Sequence, residues 1–99
     1  MTERKYHAVM IKPIDNVATA LASIPEGTRL DVRCEDQIIN VQLETSIHFG
    51  HKFAVTPIRN GEDIVKYGEV IGIAIADIKQ GEHVHVHNLD GKRGRGDKK

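Results

Sequence analysis

Apolar residues arrive along this chain in short bursts separated by polar and turn-forming residues, a pattern that predicts short strands over most of its length. Tyr6 to Ile11 is the first burst. Leu30 to Val32 and Ile38 to Leu43 follow, with alternation clearest at Ile39, Val41 and Leu43, and Phe53 to Val55 and Val70 to Ile75 are the most strand-like later segments. Val17 to Leu21 is read as strand or mixed, because Val17 and Thr19 are β-branched while Ala18, Ala20 and Ala22 favour a competing short helix capped by Asp15 or Asn16. The sum is a mainly β domain.

A local repeat sharpens this picture. Ile24-Pro25-Glu26-Gly27-Thr28-Arg29-Leu30, Ile58-Arg59-Asn60-Gly61-Glu62-Asp63-Ile64 and Ile78-Lys79-Gln80-Gly81-Glu82-His83-Val84 share one form: isoleucine, two polar or turn residues, glycine, two polar residues and an apolar residue. Physically, a buried isoleucine enters a tight turn, glycine takes the positive φ, and the chain returns to the core. Repeated turns of this kind imply short strands rather than one long sheet.

Ninety-nine residues suit a single domain with one modest core. Fourteen Lys and Arg balance fourteen Asp and Glu, so no global field steers the chain to nucleic acid or an anionic membrane. Two Tyr, two Phe and no Trp leave little for base stacking or a carbohydrate platform. Cys34, the single cysteine, excludes an internal disulfide and a cysteine-based zinc cage within one chain, and it reads as a small buried hydrophobe. No apolar run approaches the roughly twenty residues of a membrane span. The N-terminus shows no signal segment, so a cytoplasmic address is expected. The charge is unevenly spread. Residues 90–99 carry five basic and two acidic residues, +3, against −3 for residues 1–89. That end holds no apolar side chain and reads as a flexible basic tail or linker.

Histidine is the unusual entry in the composition, with six copies. If Gly81 to Asn88 is extended, His83, His85 and His87 share one face while Val84 and Val86 share the other. Imidazoles two residues apart then stand roughly 6.6 Å apart at the backbone and can converge on one ion; His83 and His87, about 13 Å apart, cannot easily do so. In His48-Phe49-Gly50-His51-Lys52, Gly50 permits a turn that presents His51 beside Lys52, a proton carrier or ligand next to a fixed positive charge. Lys66-Tyr67-Gly68-Glu69 reads as a tight turn whose Lys66 or Tyr67 could bind an anion. Phosphate-loop, dinucleotide and serine-nucleophile signatures do not occur.

Asp15-Asn16-Val17-Ala18, Gly50-His51-Lys52-Phe53-Ala54, Ile64-Val65-Lys66-Tyr67-Gly68, Ile71-Gly72 and Gly81-Glu82-His83-Val84-His85-Val86-His87-Asn88 together resemble the N-terminal domain of the altronate and galactarate dehydratases. The segment Arg93-Gly94-Arg95-Gly96-Asp97 is similar to the junction leading to that family's catalytic domain. The resemblance implies a SAF domain with a β-clip fold, similar to type III antifreeze proteins, over residues 1–89. It implies a small subunit of a sugar-acid dehydratase, inactive alone and completed by a larger catalytic subunit, with sulfolactate sulfo-lyase or a non-catalytic binding module as alternatives. It also implies a divalent metal, iron or manganese, shared with that subunit; neither nucleic acid nor membrane is an expected partner. Carried onto this sequence, it brings His51, Lys52, His85, His87 and Asn88 to a shared active site. The expected roles are catalytic for His51 and Lys52, metal-ligating for His85 and His87, and substrate-binding for Lys66, Tyr67 and Asn88.

Overall fold

In chain order the strands are β1 (Ala8–Val9), β2 (Val17–Ala20), β3 (Arg29–Cys34), β4 (Gln37–Gln42), β5 (Lys52–Ala54), β6 (Asp63–Lys66), β7 (Glu69–Ala74), β8 (His83–Val84) and β9 (Leu89–Asp90). This is a computed structural model that describes residues 7–91. The expectation of a mainly β domain holds: strands and turns make up the described residues, and no helix among them is long and apolar enough to cross a membrane. Val17 to Ala20 is a strand rather than a helix, because its four residues are locked between β1 and β5. The first burst pairs only over Ala8–Val9; Tyr6 lies outside the described residues, as do residues 92–99 of the expected tail.

Turns of one form set the frame. Each starts at a buried isoleucine, Ile24, Ile47, Ile58 or Ile78, and reaches glycine three residues later: Gly27 (φ 84°), Gly50 (φ 85°), Gly61 (φ 92°) and Gly81 (φ 87°). The residue after each glycine closes the turn, as where the His51 N–H donates to the His48 carbonyl at 3.0 Å and the Glu62 N–H to the Arg59 carbonyl at 2.9 Å. Sequence reading finds three of these turns. The fourth, Ile47-His48-Phe49-Gly50-His51-Lys52-Phe53, has the same spacing and the same backbone.

The turns work in pairs. Ile24 and Ile47 exchange backbone hydrogen bonds in both directions, and so do Ile58 and Ile78. Within the first pair Gly27 N–H donates to Leu43 and Gly50 N–H to Ala20; within the second, Gly61 N–H donates to Ala74 and Gly81 N–H to Ala54. The domain is therefore two similar halves. Each half also carries one hairpin, β3–β4 in the first and β6–β7 in the second, and β5 links them.

β1, β2, β5 and β8 form an antiparallel sheet in the order β1-β2-β5-β8, with apolar clusters on both sides. Ala18 and Phe53, opposite each other on β2 and β5, belong to the cluster of the first half; Val17, Ala54 and Val84 belong to that of the second. Phe53 is the largest fully buried side chain, and burying such a residue stabilises the fold by roughly 1.5–3 kcal/mol. Cys34 sits in the first cluster, where burial pushes its thiol up, as a small hydrophobe should.

The extended reading of residues 81–88 requires a correction. Only His83–Val84 is strand; the chain then turns over His85–Asn88 before β9, so Val84 is buried and Val86 is 74% exposed. Asn88 causes the turn: its Oδ1 accepts the His85 N–H and its Nδ2 donates to the His83 carbonyl, both at 2.9 Å.

Candidate functional site

That turn folds the histidines together. The ring centroids of His83 and His87 are 5.4 Å apart, far closer than an extended chain allows, and those of His83 and His85 are 5.5 Å apart. β5 brings the other contributor. His83 pairs with Phe53 across the β5–β8 ladder, and His51, two residues before Phe53, falls on the same face. His51 Nδ1 and His83 Nε2 are hydrogen-bonded at 3.0 Å, so one nitrogen carries the proton and the other accepts. One ring nitrogen from each of His51, His83 and His85 lies within 4.8 Å of the others. His48 meets His51 edge-on at 5.6 Å, and His87 borders the group through His83.

Burial, reinforced by the rings of His51, His87 and His85 and by the Lys52 ammonium, pushes His83 down to about 4. A neutral imidazole keeps a lone pair free, which is the form that ligates a metal or takes a proton. The donor set also fits a divalent metal: imidazole nitrogens suit iron, whereas manganese prefers oxygen ligands. Among the described residues, His51, His83 and His85 are therefore the group able to hold one.

The predicted site residues separate into two neighbourhoods. His51 and His85 join the imidazole group, with His87 at its border. Lys52 follows His51 in sequence, but strand alternation turns it to the opposite face of β5, where it pairs with Thr19 on β2 and Val84 on β8. There it meets the tip of the β6–β7 hairpin: Tyr67 Oη lies 3.4 Å from Thr19 Oγ1, and Lys66 Nζ stands 5.0 Å from the Tyr67 ring centre. Burial and then the Lys66 charge hold the Lys52 ammonium below its ordinary value. Asn88 is 3% exposed, and its amide is spent on the backbone that carries His83 and His85.

Two contributors escape sequence reading. His83 enters as one of three alternating histidines without an assigned role, yet it is the centre of the group; the pairing of β8 with β5, which sequence spacing does not reveal, decides that. Asp15 is the second. Its Oδ2 accepts the N–H groups of Ile11 and Lys12 at 3.1 Å, and its Oδ1 accepts the Gly68 N–H at 2.7 Å, fastening the β6–β7 tip to the loop before β2. Burial pushes this carboxyl up, but those backbone donors outweigh it and hold it below the ordinary value. Asn16 adds a second clasp by accepting the Val65 N–H at 2.8 Å and donating to the Asp63 carbonyl at 2.9 Å.

An all-strand domain of paired turns that presents clustered imidazoles defines a class: a small β module whose ring nitrogens lie close enough together to hold a metal ion. The particular family follows from comparison, for the SAF domain of altronate and galactarate dehydratases matches residues 6–92, and the chain belongs to that family. It is 48% identical over 80 residues to altronate dehydratase of Escherichia coli (strain K12) and 41% identical over 80 residues to altronate dehydratase of Bacillus subtilis (strain 168). Each match covers 81% of this chain and 15% of the relative, so the chain spans about 15% of the length of those enzymes. It is also 34% identical over 62 residues to the (2R)-sulfolactate sulfo-lyase subunit alpha of Paracoccus pantotrophus, covering 63% of this chain and 92% of that subunit.

Proposed function

We propose that this chain is the small subunit of a sugar-acid hydro-lyase of the altronate dehydratase type, contributing its imidazoles to an active site completed by a larger catalytic subunit. The observation that carries the reading is the convergence of His51, His83 and His85 in a domain 48% identical to part of an altronate dehydratase. The domain matches only 15% of that enzyme, so most of the catalytic machinery belongs elsewhere. His51, His83 and His85 would hold a divalent metal, iron being the better match to nitrogen donors, and such an ion supplies Lewis-acid stabilisation of negative charge.

The chain's own residues then have separable tasks. Loss of water from a hydroxy acid removes a proton beside a carboxylate and expels a hydroxyl group from the adjacent carbon, so the site must manage one proton at each position. His87, outside the group that would hold metal but next to His83, is placed to carry a proton. Lys52 supplies a fixed positive charge, and Lys66 and Tyr67 stand beside it for the acid group. Asn88 holds the histidine turn in shape. Small-molecule acid metabolism and a single buried thiol suit a cytoplasmic protein.

A sulfo-lyase role is the second reading, favoured by the 92% coverage of a sulfo-lyase alpha subunit. Mixing the chain with the larger catalytic subunit and assaying altronate, galactarate and sulfolactate separates the two. Elimination from a sugar acid that requires this chain and is lost in His51→Ala is expected. Equal activity without the chain, or no association between the two polypeptides, would contradict a subunit role.

A further inference from the structure

Among the described residues, strand edges are guarded with one exception. β1, β8 and β9 are two residues long. β6 is covered by Asn16, which bonds the backbone of Val65 and Asp63, and its ladder with β7 shifts register between Ile64 and Val65. β7 takes β9 as a third strand, and β3 carries Arg29, Asp31 and Arg33 along its exposed face. Short length, cover, bulges and charge are the means by which folds keep an edge from pairing with another chain. β4 has none of them. It runs six residues in unbroken register with β3, its one strand neighbour among the described residues. Its sequence, Gln37-Ile38-Ile39-Asn40-Val41-Gln42, holds no charged residue, proline or glycine.

The ladder decides which backbone groups are left over. Alternation turns the N–H and C=O groups of Ile39 and Val41 to β3 and those of Ile38 and Asn40 outward. The same parity continues past the strand, where the Leu43 N–H donates to Thr28 and the Glu44 N–H donates outward to Gly81. The second half shows what such an edge accepts: at the equivalent place the Ile75 N–H donates to Asn88, and the chain runs on from Asn88 as β9 along β7. From Gly81 the chain instead enters β8, which pairs with β5, and the outer edge of β4 stays open over residues 38–40. Side chains do not block it. Arg29 draws the amide oxygens of Asn40 and Gln42 across the ribbon, and Asn40 donates to Asp31. Ile38 is 56% exposed, and Ile39 is only partly buried against the first cluster.

We propose that the outer edge of β4 pairs antiparallel with β4 of a second copy of this chain, giving a two-fold dimer with a continuous β3-β4-β4-β3 sheet. Charge selects both the partner and the direction. Antiparallel pairing carries the acidic tip of each ribbon, Glu35 and Asp36, to the end where the other copy's Arg29 lies over Asn40 and Gln42; parallel pairing would set the two acidic tips together. With Ile39 opposite Ile39, the outward groups of Ile38 in each copy meet those of Asn40 in the other, and the partly covered Ile39 side chains complete each other's burial. Each copy offers this edge once, so pairing closes at two. A contact this short falls below the roughly 1,200 Å² of ordinary stable interfaces, so the dimer forms at high chain concentration.

The test is a concentration series of the full chain, read by sedimentation velocity and by backbone amide NMR. A shift from monomer to dimer is expected between micromolar and millimolar chain, with hydrogen exchange at the Ile38 and Asn40 amides slowed at least tenfold in the dimer and little change at Ile39 and Val41. Ile38→Pro removes an outward N–H and leaves the ladder with β3 whole, so this variant should fold and stay monomeric. Asp36→Lys, at the exposed tip, should weaken the dimer at least fivefold. A chain that stays monomeric at millimolar concentration, growth beyond the dimer, a folded Ile38→Pro that dimerises like wild type, or an Asp36→Lys dimer of undiminished strength would overturn the proposal. Protection of Ile38 and Asn40 only when a larger catalytic subunit is added would assign the edge to that subunit and overturn self-pairing. Metal binding and elimination are read at the histidines, so failure here leaves the dehydratase reading standing, and the converse holds.

Discussion

The turns at Ile24 and Ile47 face each other through the same backbone hydrogen bonds as the turns at Ile58 and Ile78, yet the two pairs treat their fifth position differently. In the second pair that position is glutamate, and Glu62 and Glu82 each accept the N–H of the turn's second residue, Arg59 or Lys79, at 2.9 Å. In the first pair it is Thr28 and His51. His51 spends its side chain on His83 instead of on its own turn. The frame tolerates this because isoleucine, glycine and the backbone hold each turn closed; the fifth position is free to carry chemistry. A similar contrast separates the hairpins. The β3–β4 tip at Glu35 and Asp36 is exposed, while the β6–β7 tip is fastened by Asp15 beside Lys52.

Substituting the glycines of the second pair tests how alike its two turns are, and it carries the largest expected effect. A Cβ at Gly81 would collide with the Gln42 carbonyl oxygen, in addition to the strain of φ +87°. Gly81→Ala should therefore cost about 3 kcal/mol or more. At Gly61 nothing lies within 4 Å of that position, so Gly61→Ala pays for backbone strain alone, about 1 kcal/mol. Chemical denaturation of the two variants measures the gap, and equal losses would break the distinction between these turns.

Asp15→Ala comes next. It strips the Ile11, Lys12 and Gly68 N–H groups of their acceptor, at an expected loss of about 2–3 kcal/mol. The folded carboxyl lies below its ordinary value of 3.8, so the stabilisation is whole above that pH and drains away as pH falls below it through the folded value. Thermal melts of wild type between pH 2 and pH 5, roughly the window in which such carboxylates titrate, should show this loss, and Asp15→Asn should flatten it. An unchanged acid profile in Asp15→Asn would place the acid-sensitive group elsewhere.

The smallest effect on stability is also the most discriminating. His51→Glu restores at the second turn the side-chain closure found at Glu62 and Glu82, and should stabilise the domain by about 0.5–1 kcal/mol while dismantling the imidazole group. Denaturation and a metal titration on the same variant read both halves of that exchange. A destabilised His51→Glu would mean that the imidazole contact itself supports the fold.

Much of this frame was legible in the sequence, and the reason is local. The Ile-to-Gly spacing marks a turn wherever it recurs, and alternation at Ile39, Val41 and Leu43 marks a strand. The turn at Ile47 escaped because its polar positions hold His48, Phe49 and His51, residues that look like a functional segment and conceal a structural one. The site was legible only in part for a related reason. Spacing in the chain joined His51 to Lys52 and left His83 without a role, but the β5–β8 ladder turns Lys52 away and brings His83 in. Asn88 hid the rest, since one buried amide converts an apparent strand of alternating histidines into a turn that gathers them.

The imidazole group as a seat for metal is tested most directly by titrating ferrous iron alone into the oxygen-free chain while following the histidine ring signals by NMR. Before iron is added, His83 should stay neutral until the pH approaches about 4. The unfolded ring protonates near 6.5, so stability declines as pH falls from 6.5 toward 4 and is whole above 6.5. With iron at neutral pH, the rings of His51, His83 and His85 should broaden together and saturate at one ion per chain, with the exposed His7 unaffected. Broadening spread evenly over all the histidines, or none at His83, would contradict a metal seat at this group.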